Sequence, residues 1–173
     1  MERHRRILGI DPALTTTGYA VVSADARGNV ALVEGGLIRT KSSEALEIRL
    51  RTINETLGEI IEEFEPDEVA IEDLHARYRN LKTAIVMGHA RGVAILAAGH
   101  ANIPVHHYQP TRVKSIVAGS GRADKAQMKR AVSMRLGLAE EIAKEDVADA
   151  VGIAICHVHV TGSQEVNELV GIG

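Results

Sequence analysis

The 173-residue sequence has few aromatic side chains, since it contains three tyrosines, one phenylalanine and no tryptophan. Its core must therefore be built from isoleucine, valine, leucine and alanine. The hydrophobic fraction of 45% is ordinary for a soluble globular protein. The length is sufficient for one domain with a full hydrophobic core. These totals predict a single domain with an aliphatic core.

Cysteine is almost absent as well, because Cys156 is the single one in the chain. One cysteine excludes an intrachain disulfide and is typical of a reducing compartment, which predicts a cytoplasmic protein. The apolar run that follows the basic residues 1–6 is too short for a signal peptide. We expect no segment long enough to cross a membrane.

An excess of positive charge is also lacking, because the net charge is −3 at pH 7. The chain as a whole therefore does not have the basic character typical of nucleic-acid-binding proteins. A local basic face remains compatible with this total, because the acidic residues cluster separately.

What the sequence does contain is a short apolar run, Ile7–Ile10, that ends in Asp11 and is stopped by Pro12. A second apolar run at 17–24 follows, which predicts two strands joined by a tight turn. A carboxylate at the end of a buried strand is costly unless it is solvated, paired or bound to a metal. An aspartate before proline is also common in ordinary turns. Asp11 alone leaves both interpretations open.

Hydrophobic periodicity predicts the order of the elements. The expected strands cover 6–11, 17–24, 30–40, 67–73 and 103–108, and the expected helices cover 44–65, 81–100, a short stretch from 110, 124–136 and a final segment that carries Asp146 and Asp149. The first three strands follow one another through short connections and predict an antiparallel meander. The fourth follows a helix, which predicts a parallel crossover. We expect an α/β domain at 1–160 and a loosely ordered tail at 161–173.

Four acidic residues occur where these elements begin or end. Glu72 ends the fourth strand as Asp11 ends the first, so parallel strands would place both at one edge of the sheet. Asp146 and Asp149 project from one face of a helix whose next residues, 150–155, are apolar and must be buried. Four converging carboxylates repel one another unless divalent cations bind them. The pattern predicts a site for Mg²⁺ or Mn²⁺, in which two ions can assist phosphodiester hydrolysis.

Several short motifs occur in a fixed order between residues 7 and 160. They are Gly-Ile-Asp-Pro with a later Gly-Tyr, then Ala-Ile-Glu, Gly-x-Ala-Arg-Gly-Val, Val-Lys with Gly-x-Gly-x-Ala-x-Lys, and Asp-x-x-Asp-Ala. Each motif is weak alone, but the combination is very specific. It closely resembles the RuvC family of Holliday-junction resolvases.

The resemblance implies a ribonuclease-H-like nuclease domain. The elements predicted above would give it a five-stranded mixed sheet of three antiparallel and two parallel strands, flanked by helices. It implies a homodimeric enzyme that resolves four-way DNA junctions in homologous recombination and DNA repair. Mg²⁺-dependent, symmetric nicking would leave ligatable 5′-phosphate and 3′-hydroxyl ends. Asp11, Glu72, Asp146 and Asp149 would be the catalytic acids that bind the metal. The RuvA and RuvB branch-migration proteins are the implied partners.

The resemblance also gives roles to basic side chains. Lys114 and Lys125 stand at the family's lysine positions near the site, and Lys114 is expected to neutralise a phosphate as a point charge. Arg77 and Arg91 are expected to follow the DNA backbone. The helix at 81–100, with its small residues, is the candidate dimer interface.

The loop after the second acid departs from the family pattern. Well-known members carry an aromatic residue there that wedges into the junction, whereas the nearest matching position here is His75, with Tyr78 three residues later. Either side chain can stack on a base, so both are predicted DNA contacts. Asp73 follows Glu72 directly, and strand alternation points it to the opposite face, outside the metal set.

The cysteine lies in a stretch that contains two histidines. Cys156, His157 and His159 cannot all face one ion from a single helix, so no zinc site is expected there. Cys156 is predicted to belong to the core. His106 and His107 are predicted to lie at the surface near a strand end.

Three other functions remain open from the sequence. A related ribonuclease-H-like nuclease would act on RNA or simple DNA. An actin-like or sugar-kinase ATPase shares the Gly-Ile-Asp start, but the chain is too short for its two lobes. A junction-binding protein with a defunct site would lack some of the acids, yet all four are present.

Overall fold

A computed structural model describes residues 4–74 and 80–170, with side chains as far as residue 163. The strands are β1 (Arg5–Asp11), β2 (Thr16–Ala24), β3 (Val30–Arg39), β4 (Glu68–Glu72) and β5 (Val105–Tyr108). The helices are α1 (Leu46–Phe64), α2 (Leu81–His100), α3 (Pro110–Ala118), α4 (Lys125–Arg135) and α5 (Glu145–Val170). The predicted order of strands and helices is confirmed, with ends that differ by a few residues except at the C-terminal end of α5.

The five strands form one mixed sheet in the order β3-β2-β1-β4-β5. Strands β1, β2 and β3 pair antiparallel, while β4 is parallel to both β1 and β5. The α/β fold class predicted above is thereby confirmed. In the β1–β4 register Ile10 lies opposite Ile71, so the next residues, Asp11 and Glu72, leave the sheet at the same edge.

The sheet separates two aliphatic cores. Along β1, Leu8 and Ile10 belong to the core under α1 and α2, whereas Ile7 belongs to the core under α3, α4 and α5. The buried Cys156 lies in this second core, as predicted. Because side chains alternate along a strand, Asp11 at the end of β1 faces the same side as Ile7, toward α5.

Helix α5 lies so close to β1 and β2 that two strand positions have no room for a side chain. A Cβ atom on Gly9 would lie 2.1 Å from the backbone oxygen of Ala150, and one on Gly18 would lie 2.1 Å from that of Asp146. The contacts are with backbone, which cannot rotate away. These two glycines therefore set the distance between the sheet and the first turns of α5.

Helix α2 differs from one expectation. It is 20 residues long, with a mean hydropathy of 1.3, and by length and composition alone it could cross a membrane. The expectation that no segment is long enough is therefore wrong for this helix. Its alanines Ala90, Ala94, Ala97 and Ala98 are buried in the core beside α1. A core helix of a soluble protein passes the same test, so this one helix is weak evidence for a span.

Helix α5 also runs further than expected, because its backbone continues to Val170. The Thr161 hydroxyl donates to the carbonyl oxygen of His157 at 2.9 Å and accepts a hydrogen bond from Arg5. The first residue of the predicted loose tail is thus helical and bonded to β1. The division of the chain into 1–160 and 161–173 stays a prediction.

Replacing Gly9 by alanine will destabilise the protein, because α5 must move away from the sheet to admit the new methyl group. We expect a loss of about 1–3 kcal/mol in the free energy of unfolding, the usual cost of overpacking a core. Urea denaturation measures this. The matched control is Gly58→Ala on α1, where a Cβ meets nothing within 4 Å. It should stabilise by up to about 1 kcal/mol, because alanine favours helix. Equal effects of the two substitutions would contradict the role of Gly9.

Candidate active site

Three carboxylates meet at the edge of the sheet where β1 ends. Asp11 comes from the end of β1, and Asp146 and Asp149 come from the first turns of α5. One carboxylate oxygen from each lies within 4.8 Å of one from the other two, and all three residues are half-buried. The backbone N–H groups of a helix's first turn favour negative charge. The three acids offer an all-oxygen site that suits a hard divalent cation.

Glu72 lies beside this group rather than within it. It ends β4, next to β1, and is not among the oxygens that lie within 4.8 Å of one another. Its carboxyl is nevertheless close enough to Asp11 and Asp149 for their charges to raise its pKa. The structure therefore places all four predicted acids at one edge of the sheet, with three in a tight cluster.

Burial raises the pKa values of Glu72, Asp11 and Asp149. The pKa of Glu72 is raised to about 8, mainly by burial and then by the neighbouring acids. The pKa of Asp11 is raised to about 7, mainly by burial and then by the charges of Asp149 and Asp146. Burial also raises the pKa of Asp149. Near neutral pH the site without a cation therefore retains protons that a bound divalent ion would displace.

The two predicted lysines flank the acids from separate helices. The ammonium group of Lys114, on α3, lowers the pKa of Glu72 and of Asp149 and so opposes the effect of burial. Lys125 begins α4, and its Nζ donates to Glu145 at 2.6 Å. Sequence reasoning missed Glu145, although its position directly before Asp146 and an acidic helix start were visible signals.

Arg91 has protein partners on three sides. Its Nε donates to the carbonyl oxygen of Glu72 at 3.0 Å, and its Nη2 lies 3.1 Å from Asp73 and 2.7 Å from Nδ1 of His107. Only 17% of the side chain is exposed. Asp73 also accepts a hydrogen bond from Gln109. Arg91 therefore ties α2 to the end of β4, a role that sequence reasoning missed because it requires knowing that α2 packs beside this strand end.

Three predicted DNA contacts, His75, Arg77 and Tyr78, lie outside the described residues. The description of the chain resumes at Asn80, whose side chain caps α2 by accepting from the backbone N–H groups of Lys82 and Thr83.

The fold class follows from three features. They are the mixed sheet order, the helix α5 packed across the sheet and the carboxylates at the shared edge of β1 and β4. The chain has a ribonuclease-H-like fold with an acidic cluster at the edge of its sheet. The yeast mitochondrial Holliday junction resolvase Ydc2 has the same fold, with a TM-score of 0.66 and 14% identity, over 94% of this chain and 83% of that one.

Sequence comparison identifies the family within the ribonuclease-H-like fold class. The family model described as crossover junction endodeoxyribonuclease RuvC matches residues 7–157. The RuvC of Rhodopirellula baltica is 48% identical over 150 residues, which are 87% of this chain and 84% of that protein. The structure of Thermus thermophilus RuvC in complex with a Holliday junction substrate has a TM-score of 0.87 and 32% identity, over 93% of this chain and 97% of that one. The chain belongs to the RuvC family of crossover junction endodeoxyribonucleases, as the motifs predicted.

The raised pKa values predict how stability depends on pH when a chelator keeps the site free of metal. Asp11 and Glu72 bind protons more tightly in the folded than in the unfolded state, in which carboxyl pKa values are about 4. Stability is therefore lost as the pH rises from about 4 to about 8. The Asp11→Asn variant should become more stable than the wild type as the pH rises from about 4 to about 7, by at most about 1.4 kcal/mol for each pH unit, and the difference should level off above that.

Thermal unfolding from pH 5 to 8.5 measures this difference. Glu55→Gln, on the exposed face of α1, is the control and should follow the wild type at every pH. Saturating Mg²⁺ should reduce the difference between the wild type and Asp11→Asn, because a bound cation keeps the carboxylates ionised. If the melting temperatures of the wild type and Asp11→Asn changed in parallel with pH, the raised pKa of Asp11 would be contradicted.

Proposed function

We propose that this chain resolves four-way DNA junctions by metal-dependent hydrolysis of two symmetric phosphodiester bonds. The convergence of Asp11, Asp146 and Asp149, with oxygens within 4.8 Å of one another, is the observation that carries the proposal. Family membership supports it, because the relatives are described as crossover junction endodeoxyribonucleases. The related T. thermophilus RuvC, with a TM-score of 0.87, is in complex with a Holliday junction substrate.

We propose Mg²⁺ as the cofactor, with Mn²⁺ as a substitute and two ions in each site. The donors are carboxylate oxygens, which hard divalent cations prefer, and Glu72 beside the cluster supplies a fourth acid. Cations of this kind activate a water molecule and stabilise the attacking and leaving oxygens of a phosphodiester. The acids Asp11, Glu72, Asp146 and Asp149 would hold the metal. The raised pKa values of Asp11 and Glu72 support this assignment, because a bound cation would stabilise their ionised forms.

The side chains around the acids would position the DNA. Lys114 lies near Glu72 and Asp149, where its charge can meet a phosphate oxygen of the bound strand. Lys125 would exchange its exposed partner Glu145 for a phosphate, which costs little because exposed ion pairs are weak. Water attacks phosphorus and the 3′ oxygen leaves as a hydroxyl, so the nick retains a 5′-phosphate and can be ligated.

The remaining predicted contacts divide into two groups. His75, Arg77 and Tyr78 stay proposed DNA contacts, because they follow Glu72 closely in the chain. We assign Arg91 to positioning the end of β4 rather than to DNA, because its guanidinium already binds the Glu72 carbonyl, Asp73 and His107. We also propose roles in recombination and repair, a cytoplasmic location and association with RuvA and RuvB, which the resemblance to the family implies.

Cleavage of a synthetic four-way junction tests the activity. Mg²⁺ should produce paired nicks at symmetric positions, and a chelator should abolish them, while a matched linear duplex and an RNA–DNA hybrid stay intact. Asp11→Asn should bind the junction with unchanged affinity but cut it about 10³-fold more slowly, which corresponds to about 4 kcal/mol of lost transition-state stabilisation. Glu55→Gln should cut normally.

Other outcomes of this experiment would identify a different protein. Binding without cutting under Mg²⁺ or Mn²⁺ would indicate a junction-binding module. Equal cutting of junction and duplex, or cutting of the hybrid, would indicate a general nuclease. Loss of junction binding by Asp11→Asn in the absence of metal would make Asp11 a structural residue.

We infer that two copies pair through α2, because two symmetric cuts need two sites. Leu81, Ile85 and Leu96 are 74%, 52% and 51% exposed, and they lie within about 60° of one another around the helix axis. This stripe is opposite the buried alanines. Gly92 lies in the same stripe and leaves space for close approach of a second helix.

Charges in this stripe should separate the dimer. Ile85→Glu combined with Leu96→Glu would place carboxylates in the interface, so sedimentation should give the mass of a monomer and junction nicks should lose their pairing. The control is Met134→Glu on α4, whose side chain is 78% exposed and lies outside the stripe. A monomeric wild type, or a dimeric double variant, would contradict this interface.

A further inference from the structure

A second cluster of ligating side chains lies on the α5 side of the sheet, away from the acidic site. Glu68 begins β4, His106 lies in β5 and His157 lies in α5. One ligand atom from each lies within 4.8 Å of one from the other two. His157 follows Asp149 by eight residues, which places the cluster roughly 12 Å further along α5. It is therefore separate from the four acids.

The three donors converge on one point. The Nε2 atom of His157 lies 2.7 Å from Oε2 of Glu68, and the Nε2 atom of His106 lies 3.1 Å from the same oxygen. The edge of a tetrahedron with metal–ligand bonds of 2.0–2.1 Å is about 3.3 Å. To admit a cation, the Glu68 oxygen would move about 0.6 Å from Nε2 of His157 and about 0.2 Å from Nε2 of His106, and both histidines already turn Nε2 toward it.

The surrounding groups hold the donors in place. The Tyr108 hydroxyl lies 2.7 Å from Nδ1 of His157, so its oxygen can accept that N–H when Nε2 binds a metal. Arg5 lies 3.4 Å from Oε1 of Glu68, the oxygen that does not face the histidines. His157 is fully buried, and burial lowers its pKa, which keeps the imidazole neutral. His106 is 39% exposed and leaves an opening for an ion and a water ligand.

We propose that Glu68, His106 and His157 form a second cation site, selective for transition metals of the Zn²⁺ class. Two nitrogen donors and one oxygen suit Zn²⁺ and Co²⁺, whereas Mg²⁺ prefers oxygen donors and an octahedral shell. A bound ion would join β4, β5 and α5, the helix that also carries Asp146 and Asp149. The site is structural, and it does not depend on the nuclease function proposed above.

The test uses the full chain without a histidine tag, in millimolar Mg²⁺ to saturate the acidic site. Titration with Co²⁺ should produce the visible absorption of a low-symmetry four-coordinate ion, with one equivalent bound, and Zn²⁺ should displace it. Zn²⁺ should also raise the melting temperature. Calorimetry with Zn²⁺ gives the affinity.

Matched variants locate the ion. His106→Asn should weaken Zn²⁺ binding at least 100-fold and remove the rise in melting temperature, and Glu68→Gln should weaken binding as well. The partly exposed His106 is chosen because replacing the buried His157 can unfold the domain. His89→Asn, at an exposed position of α2, is the control and should bind as the wild type does. Asp149→Asn should also retain this Zn²⁺ site, because it alters only the acidic cluster.

Three results would overturn the proposal. They are the absence of Zn²⁺ binding, equal binding by His106→Asn and the wild type, and loss of the Co²⁺ absorption in Asp149→Asn. The first two would make the cluster a network of hydrogen bonds alone, and the third would place the ion among the four acids. Junction cutting with Mg²⁺ by His106→Asn is measured separately, so the two proposals can fail independently.

Discussion

The close contact between α5 and the strands β1 and β2 determines where the acidic site lies. Gly9 and Gly18 let the backbone of α5 rest directly on the sheet, since any Cβ at either position would overlap a carbonyl oxygen of the helix. The first turn of α5 therefore stands over the end of β1. As a result Asp146 and Asp149 approach Asp11, although the helix begins more than 130 residues after it in the chain.

The same contact creates an electrostatic cost. Packing α5 onto the sheet removes water from Asp11 and Glu72, and burial is the largest cause of their raised pKa values. Close packing and charge repulsion thus act against each other at one edge of the sheet. The flanking lysines offset part of the cost, because Lys114 favours ionised Glu72 and Lys125 favours ionised Asp11. A divalent cation would offset the remainder, so metal affinity and fold stability are linked in this region.

The sequence alone predicts the sheet, the helices and the edge at which the acids meet. Each of these depends on local signals, namely apolar periodicity and a carboxylate at the end of an apolar run, as at Asp11 and Glu72. The residues that sequence reasoning missed depend on packing between distant segments. Arg91 binds the end of β4 because α2 lies beside it, which no pattern within α2 reveals.

The contacts of His106 and His157 also depend on packing between distant segments, which the sequence does not show. In the sequence His157 stands beside Cys156 and His159, which cannot share an ion with it from one helix. Its partners come instead from β4 and β5. His106, which the sequence predicts to lie at the surface, is partly exposed, but its ring packs against that of His157 at a tilt of 39° with centroids 4.4 Å apart. Alternation along β5 puts His106 and Tyr108 on the α5 side, where sequence spacing alone could not show which partners they meet.

Strand β4 is only five residues long, and a glutamate stands at each of its ends. Glu68 and Glu72 face the same side because they are four positions apart, and side chains on one face of a strand recur every second position. Deleting or inserting one residue between them would turn one carboxylate to the opposite side of the sheet while the other stayed in place. A shift of β4 by one residue would turn both carboxylates away from the α5 side of the sheet. The length of β4 is therefore restricted to an even spacing, independently of which side chains fill its three buried central positions.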